Sequence, residues 1–328
     1  MEQMSLAAVV FVKKDRKTRQ QTFLEEMERV VPWKELMAVI APHYDKTGAR
    51  GGRPPTPLSI MLRIHFLQQW FNLSDPGMEE KLYEVPMLCA FAGIDRGMMN
   101  VPDETTILNF RHLLEAHSLA ETMFARVNGL LREKGLLLRQ GTLVDATLIA
   151  APPSTKNATG QRDPAMHQAK KGQQWHFGMK AHIGADMESG LVHTVVGTAA
   201  NVHDVTQAHV LLHGEEELAG GDAGYTGVEK RPEAKTAIPW LVAMRPGTRR
   251  ALRSDVRSDH ALLDDWERIK ARVRAKVEHP FRVVKRQFGY GICQDSCRVI
   301  SKKSVGATYE YANCTISSSF YMLVCLCG

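Results

Sequence analysis

TLVDATLIAA, residues 142–151, sets one carboxylate, Asp145, inside an apolar run. The run reads as a short buried strand. A charge at Asp145 costs free energy there unless it is paired or bound to a metal ion. The stretch is also a boundary, because the patterning of the chain differs on its two sides.

Before it, residues 1 to about 135 read as helices joined by short turns. Thr56-Pro57 opens one, LSIMLRIHFLQQWF, with Pro57 at the first helical position. Asp75-Pro76 opens a second, and Asp103 after Pro102 opens ETTILNFRHLL. Ser118 with Glu121 makes a capping box for the next. Such helices suit a helix-turn-helix DNA-binding module or a plain dimerisation bundle. The loop Gly51-Gly52-Arg53-Pro54-Pro55 either touches a phosphate backbone through Arg53 or connects helices.

After it, a polar segment from Pro152 to Gln173 reads as a loop. WHFGMKAHIGAD then alternates: Trp175, Phe177, Met179, Ala181 and Ile183 on one face, His176, Lys180 and His182 on the other. With LVHTVVGTAA it forms a hairpin or meander. A helix is expected over Val205–His213. ELAGGDAGY gives a strand ending at Asp222, and AIPWLVAM a fifth. The last element runs from about Leu262 to Phe288, with an apolar stripe through Trp266, Ile269, Val273, Val277, Phe281, Val284 and Phe288. Lys270, Arg274, Glu278 and Arg282 make an i, i+4 row beside it. Pro280 should kink or divide that helix.

The 328 residues allow two ordinary domains or one large one. Net charge is +6, and Glu229 to Arg286 holds 16 Lys/Arg against 8 Asp/Glu. That excess suggests a polyanionic partner, most often nucleic acid, over the blander solvated helix face. No apolar run has the length of a membrane span. Near the N-terminus the basic residues follow SLAAVVFV instead of preceding it, so a cytoplasmic protein is expected.

Asp145 on a strand, Asp222 at a strand end between glycines, and Glu278 among cations on a helix are three acids on three elements of one basic domain. Singly, each has a plain structural reading as a hydrogen-bonding, turn or ion-pair residue. Together they have the makings of a divalent-metal site, since Mg²⁺ takes carboxylate oxygens plus substrate phosphates. Two such ions stabilise both the attacking and the leaving oxygen of a phosphoryl displacement.

In these residues the chain resembles the DDE transposases of the insertion-sequence-five family, within the wider group that includes the insertion-sequence-four elements. The matching stretches are GRPPTPLSIMLRIHFLQQWFNLSD, PDETTILNFRHLLE, LVDATLIAAP, HFGMKAHIGAD, TAANVHD, GDAGYTG and VEHPFRVVKRQFGY. The wider group carries Tyr-x2-Arg-x3-Glu-x6-Lys around its third acid. Arg274, Glu278 and Lys285 fall at those spacings, and Ala271 replaces the Tyr. The resemblance implies an α/β, RNase H-like catalytic domain (residues 140–290) with a mixed five-stranded sheet and flanking helices. An all-α N-terminal domain (1–135) for DNA binding or dimerisation precedes it. It implies catalytic, metal-binding Asp145, Asp222 and Glu278; two Mg²⁺ ions, replaceable by Mn²⁺; and DNA contacts from Arg274, Lys285, Arg282, Lys180 and Arg53. The expected partners are terminal inverted repeats, target DNA and further copies of the chain, as a homodimer or higher oligomer. The expected activity is strand cleavage and strand transfer.

The resemblance stops after Tyr290. Residues 291–328 carry five of the six cysteines, at Cys293, Cys297, Cys314, Cys325 and Cys327, in spacings that do not match a standard zinc site. Cys293–Arg298 can be encoded as TGT CAA GAC TCG TGC CGG, whose next frame reads VKTRA. A shifted reading frame is therefore expected to have replaced a basic segment and an apolar helix. The rival reading is a catalytically dead DNA-binding relative that occupies element ends as a repressor.

Overall fold

The computed structural model describes residues 17–44, 55–138, 140–151, 166–232, 238–254 and 258–289. Arg53 and the cysteine-rich tail lie outside these residues.

Among the described residues, seven helices come first: α1 (Arg19–Val30), α2 (Trp33–Ile40), α3 (Leu58–Phe71), α4 (Asp75–Glu84), α5 (Pro86–Ala92), α6 (Glu104–Ala116) and α7 (Leu119–Glu133). α3 is apolar nearly all round and lies at the centre, with Leu62, Ile64 and Leu67 fully buried. Its start is one residue later than the sequence suggests. Pro57 is the N-cap, and the Thr56 carbonyl accepts from Tyr44 Oη at 2.6 Å. α4 is capped by Ser74 Oγ, which accepts from the Gly77 amide, so Asp75 sits inside the helix. Asp103 caps α6 through the Thr106 amide, as the sequence indicates. Ser118 precedes α7 in a left-handed conformation (φ 48°) and its side chain makes no capping hydrogen bond, so the expected box does not form.

Six strands make one sheet: β1 (Gly141–Ala150), β2 (His167–Lys171), β3 (Gln174–Asp186), β4 (Val192–Ala199), β5 (Leu218–Gly221) and β6 (Trp240–Val242). β3 lies antiparallel to β1, with Asp145 opposite Ile183, and pairs with β4 on its second half. β5 and β6 follow beyond β1, both parallel to it. β2 was expected to be loop. It pairs with the first half of β3, making six strands where five were expected. Gly178 is essential to the β1–β3 pairing: its φ is +154°, and a Cβ there would lie 2.1 Å from the Ile149 carbonyl.

Both sheet faces are covered. Leu143, Ile149, Met179, Ala181 and Ile183 join the core that continues into the N-terminal helices and into the long helix described next. Val144 faces a second cluster with Ala208, Leu211, Ala219, Tyr225 and Val228. The helical and sheet regions therefore share one core. The Phe23 and Phe288 rings pack tilted, with centroids 6.3 Å apart, and Asn128 Nδ2 donates to the His193 carbonyl at 3.2 Å. The expected helix at 205–213 shrinks to one turn, α8 (Asp204–Gln207). α9 (Pro246–Ser254) then leads to α10 (Ser258–Arg282). Pro280 does not divide α10. The helix passes through it and widens into a π turn, Val283–Gln287, closed by Phe288 N–H to the Val283 carbonyl.

Candidate active site

β1 carries Asp145 on the face that α10 covers, alongside Leu143 and Ile149. Its Oδ1 accepts from the Ala146 amide at 2.8 Å. β5 lies beside β1 and ends at Gly221, so Asp222 emerges next to it. Asp222 caps a short 3₁₀ turn, Ala223–Tyr225, by accepting from the Gly224 amide at 2.8 Å. The preceding glycine is required: a Cβ on Gly221 would meet the Tyr225 ring at 2.9 Å. α10 packs across β1 and β5 and brings Glu278 over them.

Electrostatics report this convergence. The Asp145 carboxyl is pushed up to about 7, first by burial, then by the negative charges of Asp222 and Glu278. The Ala146 amide and the Arg274 guanidinium pull the other way. Two acids and one cation, from the end of β5 and from α10, thus act on the Asp145 carboxyl group. The three acids are not yet closed into a ligand set. Among the described residues, no group of three or more His, Cys, Asp or Glu side chains stands close enough to hold a metal ion. Arg274 Nη2 instead binds Glu278 Oε1 at 2.9 Å, one helical turn away, with the glutamate largely exposed. As donors, the three carboxylates are the hard oxygen ligands that Mg²⁺ or Mn²⁺ takes.

The expected DNA contacts divide. Arg282 is exposed on the α10 row with Arg274 and Glu278. Lys285 turns inward: its Nζ donates to the Leu148 carbonyl at 2.7 Å, and burial lowers its pKa. Lys180 lies on the sheet face opposite Asp145. There it donates to the Val202 carbonyl at 2.8 Å and pairs with Asp204 Oδ1 at 2.9 Å. The structure therefore does not bring Lys180 to the acids. His182 beside it is fully buried, bonded to Thr198 Oγ1 at 2.8 Å, and held neutral by burial, with a pKa of about 4.

Sequence reasoning missed Asp204 as the partner of Lys180. The signal was there, since Lys180 and Asp204 each stand in a matching stretch. Tyr225 belongs to the core. It is buried, its hydroxyl has no hydrogen-bond partner among the described residues, and burial with Asp145, Asp204 and Asp222 raises its pKa.

Two family matches cover most of the chain. Residues 12–113 match the family described as "Transposase domain (DUF772)", and residues 137–297 match "Transposase DDE domain". The chain belongs to the DDE transposases. Asp145, Asp222 and Glu278 all fall inside the second match, and so does the start of the cysteine-rich tail, to residue 297. No solved structure matches this transposase. Among its described residues, no helix is long and apolar enough to cross a membrane.

Proposed function

We propose that this transposase belongs to the insertion-sequence-five family and cuts and joins DNA at the ends of its own element, using Asp145, Asp222 and Glu278 as its acid triad. The observation that carries the reading is the packing of α10, which bears Glu278, across the paired strands β1 and β5 that bring in Asp145 and Asp222, inside a matched DDE domain. The sheet supports an RNase H-like fold. β4, β3, β1, β5 and β6 run side by side, with only β3 reversed; Asp145 lies on β1, Asp222 follows β5 and Glu278 rides a later helix.

The three carboxylates would hold two Mg²⁺ ions, or Mn²⁺ in their place, whose chemistry is Lewis-acid polarisation of the scissile phosphate. The protein's own residues supply the rest. β1 and β5 are hydrogen-bonded neighbours, so Asp145 and Asp222 hold a fixed spacing. Arg274 and Arg282 lie on the exposed row beside Glu278, where they neutralise strand phosphates. Lys285 ties the π turn to the Leu148 carbonyl and so fixes Glu278's helix against the strand that carries Asp145. The freed 3′-hydroxyl is then directed at target DNA. The N-terminal helices and the Arg53 loop bind the terminal repeats and a second copy of the chain.

The test is a nicking and strand-transfer assay in Mg²⁺ on a duplex carrying the DNA that flanks the coding sequence. Wild-type protein should nick and join. Asp145→Asn should bind the duplex with unchanged affinity and leave it intact. Nicking by Asp145→Asn at the wild-type rate would refute the assignment.

A further inference from the structure

Arg274 bears on both halves of the proposed site. Its guanidinium pulls the Asp145 pKa down and also holds Glu278 at 2.9 Å. In this state the positive charge among the acids is therefore the protein's own. The same residue stands on the exposed row next to Arg282, one-third exposed, where a phosphate can reach it. A guanidinium binds a carboxylate or a phosphate with the same bidentate fork, so the two partners compete for it.

We infer that Arg274 is a positioning residue that restrains Glu278 away from its metal-binding orientation until a DNA phosphate takes the guanidinium over. This rests on the triad reading above and adds regulation to it. DNA binding and metal binding become thermodynamically coupled through one ion pair, and the coupling is reciprocal. DNA-free protein then binds metal weakly, and the site closes where a strand is present to be cut. The pair suits this use because it is exposed. A pair of this kind holds its partners by no more than ~1 kcal/mol, about a five-fold change in a binding constant, so one phosphate is enough to exchange it.

The test is calorimetric titration of Mn²⁺ into the full chain, alone and with a short duplex of arbitrary sequence that offers phosphates and no element end. Wild type should bind Mn²⁺ more tightly with the duplex. Arg274→Gln should bind Mn²⁺ about five-fold more tightly than wild type without DNA, and the duplex should then add less. Arg272→Gln, which removes an exposed charge on the same helix that does not hold Glu278, should behave as wild type without DNA. Equal DNA-free affinities for wild type and Arg274→Gln would overturn the inference, and so would equal gains from both arginine variants. Asp145→Asn separates this outcome from failure of the triad: if it binds Mn²⁺ like wild type, the metal site itself is misassigned.

Discussion

Replacing Asp145 by Asn should stabilise the metal-free transposase at neutral and alkaline pH and leave it little changed in acid. The group's pKa is raised from 3.8 to about 7 in the fold. A raised acid pKa means that the folded state holds the proton more tightly than the unfolded chain. Its contribution is therefore fully present below 3.8 and is lost as pH rises through about 7. A rise of roughly three pKa units at 1.36 kcal/mol each gives a cost of about 4 kcal/mol at pH 8. Asparagine keeps the oxygen that accepts from Ala146 and carries no charge, so the variant should escape most of that cost. The assay is chemical denaturation of both proteins in EDTA from pH 4.5 to 8. The stability difference should open steadily in favour of Asn across this window. A difference that stays flat would refute both the burial of Asp145 and its repulsion by Asp222 and Glu278.

Other outcomes follow from the same structure. His65 is fully buried and neutral, with a pKa lowered from 6.5 to about 4, first by burial and then by Arg111. Stability should fall by about 3 kcal/mol as pH drops through that window, and thermal melts of His65→Gln should show a smaller drop. Gly178→Ala should destabilise the fold by several kcal/mol, because its Cβ would collide with the Ile149 carbonyl at a positive φ; urea denaturation checks this. Arg282→Ala should reduce the salt dependence of DNA binding by about one counterion. Lys285→Met should leave that slope intact and lower stability, since its ammonium is engaged at Leu148. The nucleotide sequence beyond codon 290, read one base later, should encode a basic segment and then an amphipathic helix; an early stop in that frame would show the cysteine-rich tail to be native.

The legible parts of the site were those where chemistry conflicts with local pattern. Asp145 stands out because it interrupts an apolar strand, and Glu278 because it is an acid in a row of cations. Asp222 stands out because the glycines around it have no place in an ordinary strand. β2 was missed because HQAKK has no apolar face: it forms by main-chain pairing to β3 and stays largely exposed. Alternation along β3 placed Lys180 and His182 outside, as on a sheet with one wet face. Helix α8 and the 3₁₀ turn cover that second face, and neither leaves a period in the sequence. Lys285 was assigned to DNA by the resemblance, through its spacing from Glu278. The π turn after Pro280 shifts the phase of the last residues, and the lysine swings to Leu148.

The central claim is that three acids from three elements act as one catalytic unit. Single-turnover cleavage in Mg²⁺ by Asp145→Asn, Asp222→Asn, Glu278→Gln and their double combinations tests it most directly. Each single change should slow cleavage by about a thousandfold or more, and the doubles should be no slower than the singles, as residues acting as a unit require. A single variant that cleaves near the wild-type rate, or doubles whose losses multiply, would contradict it.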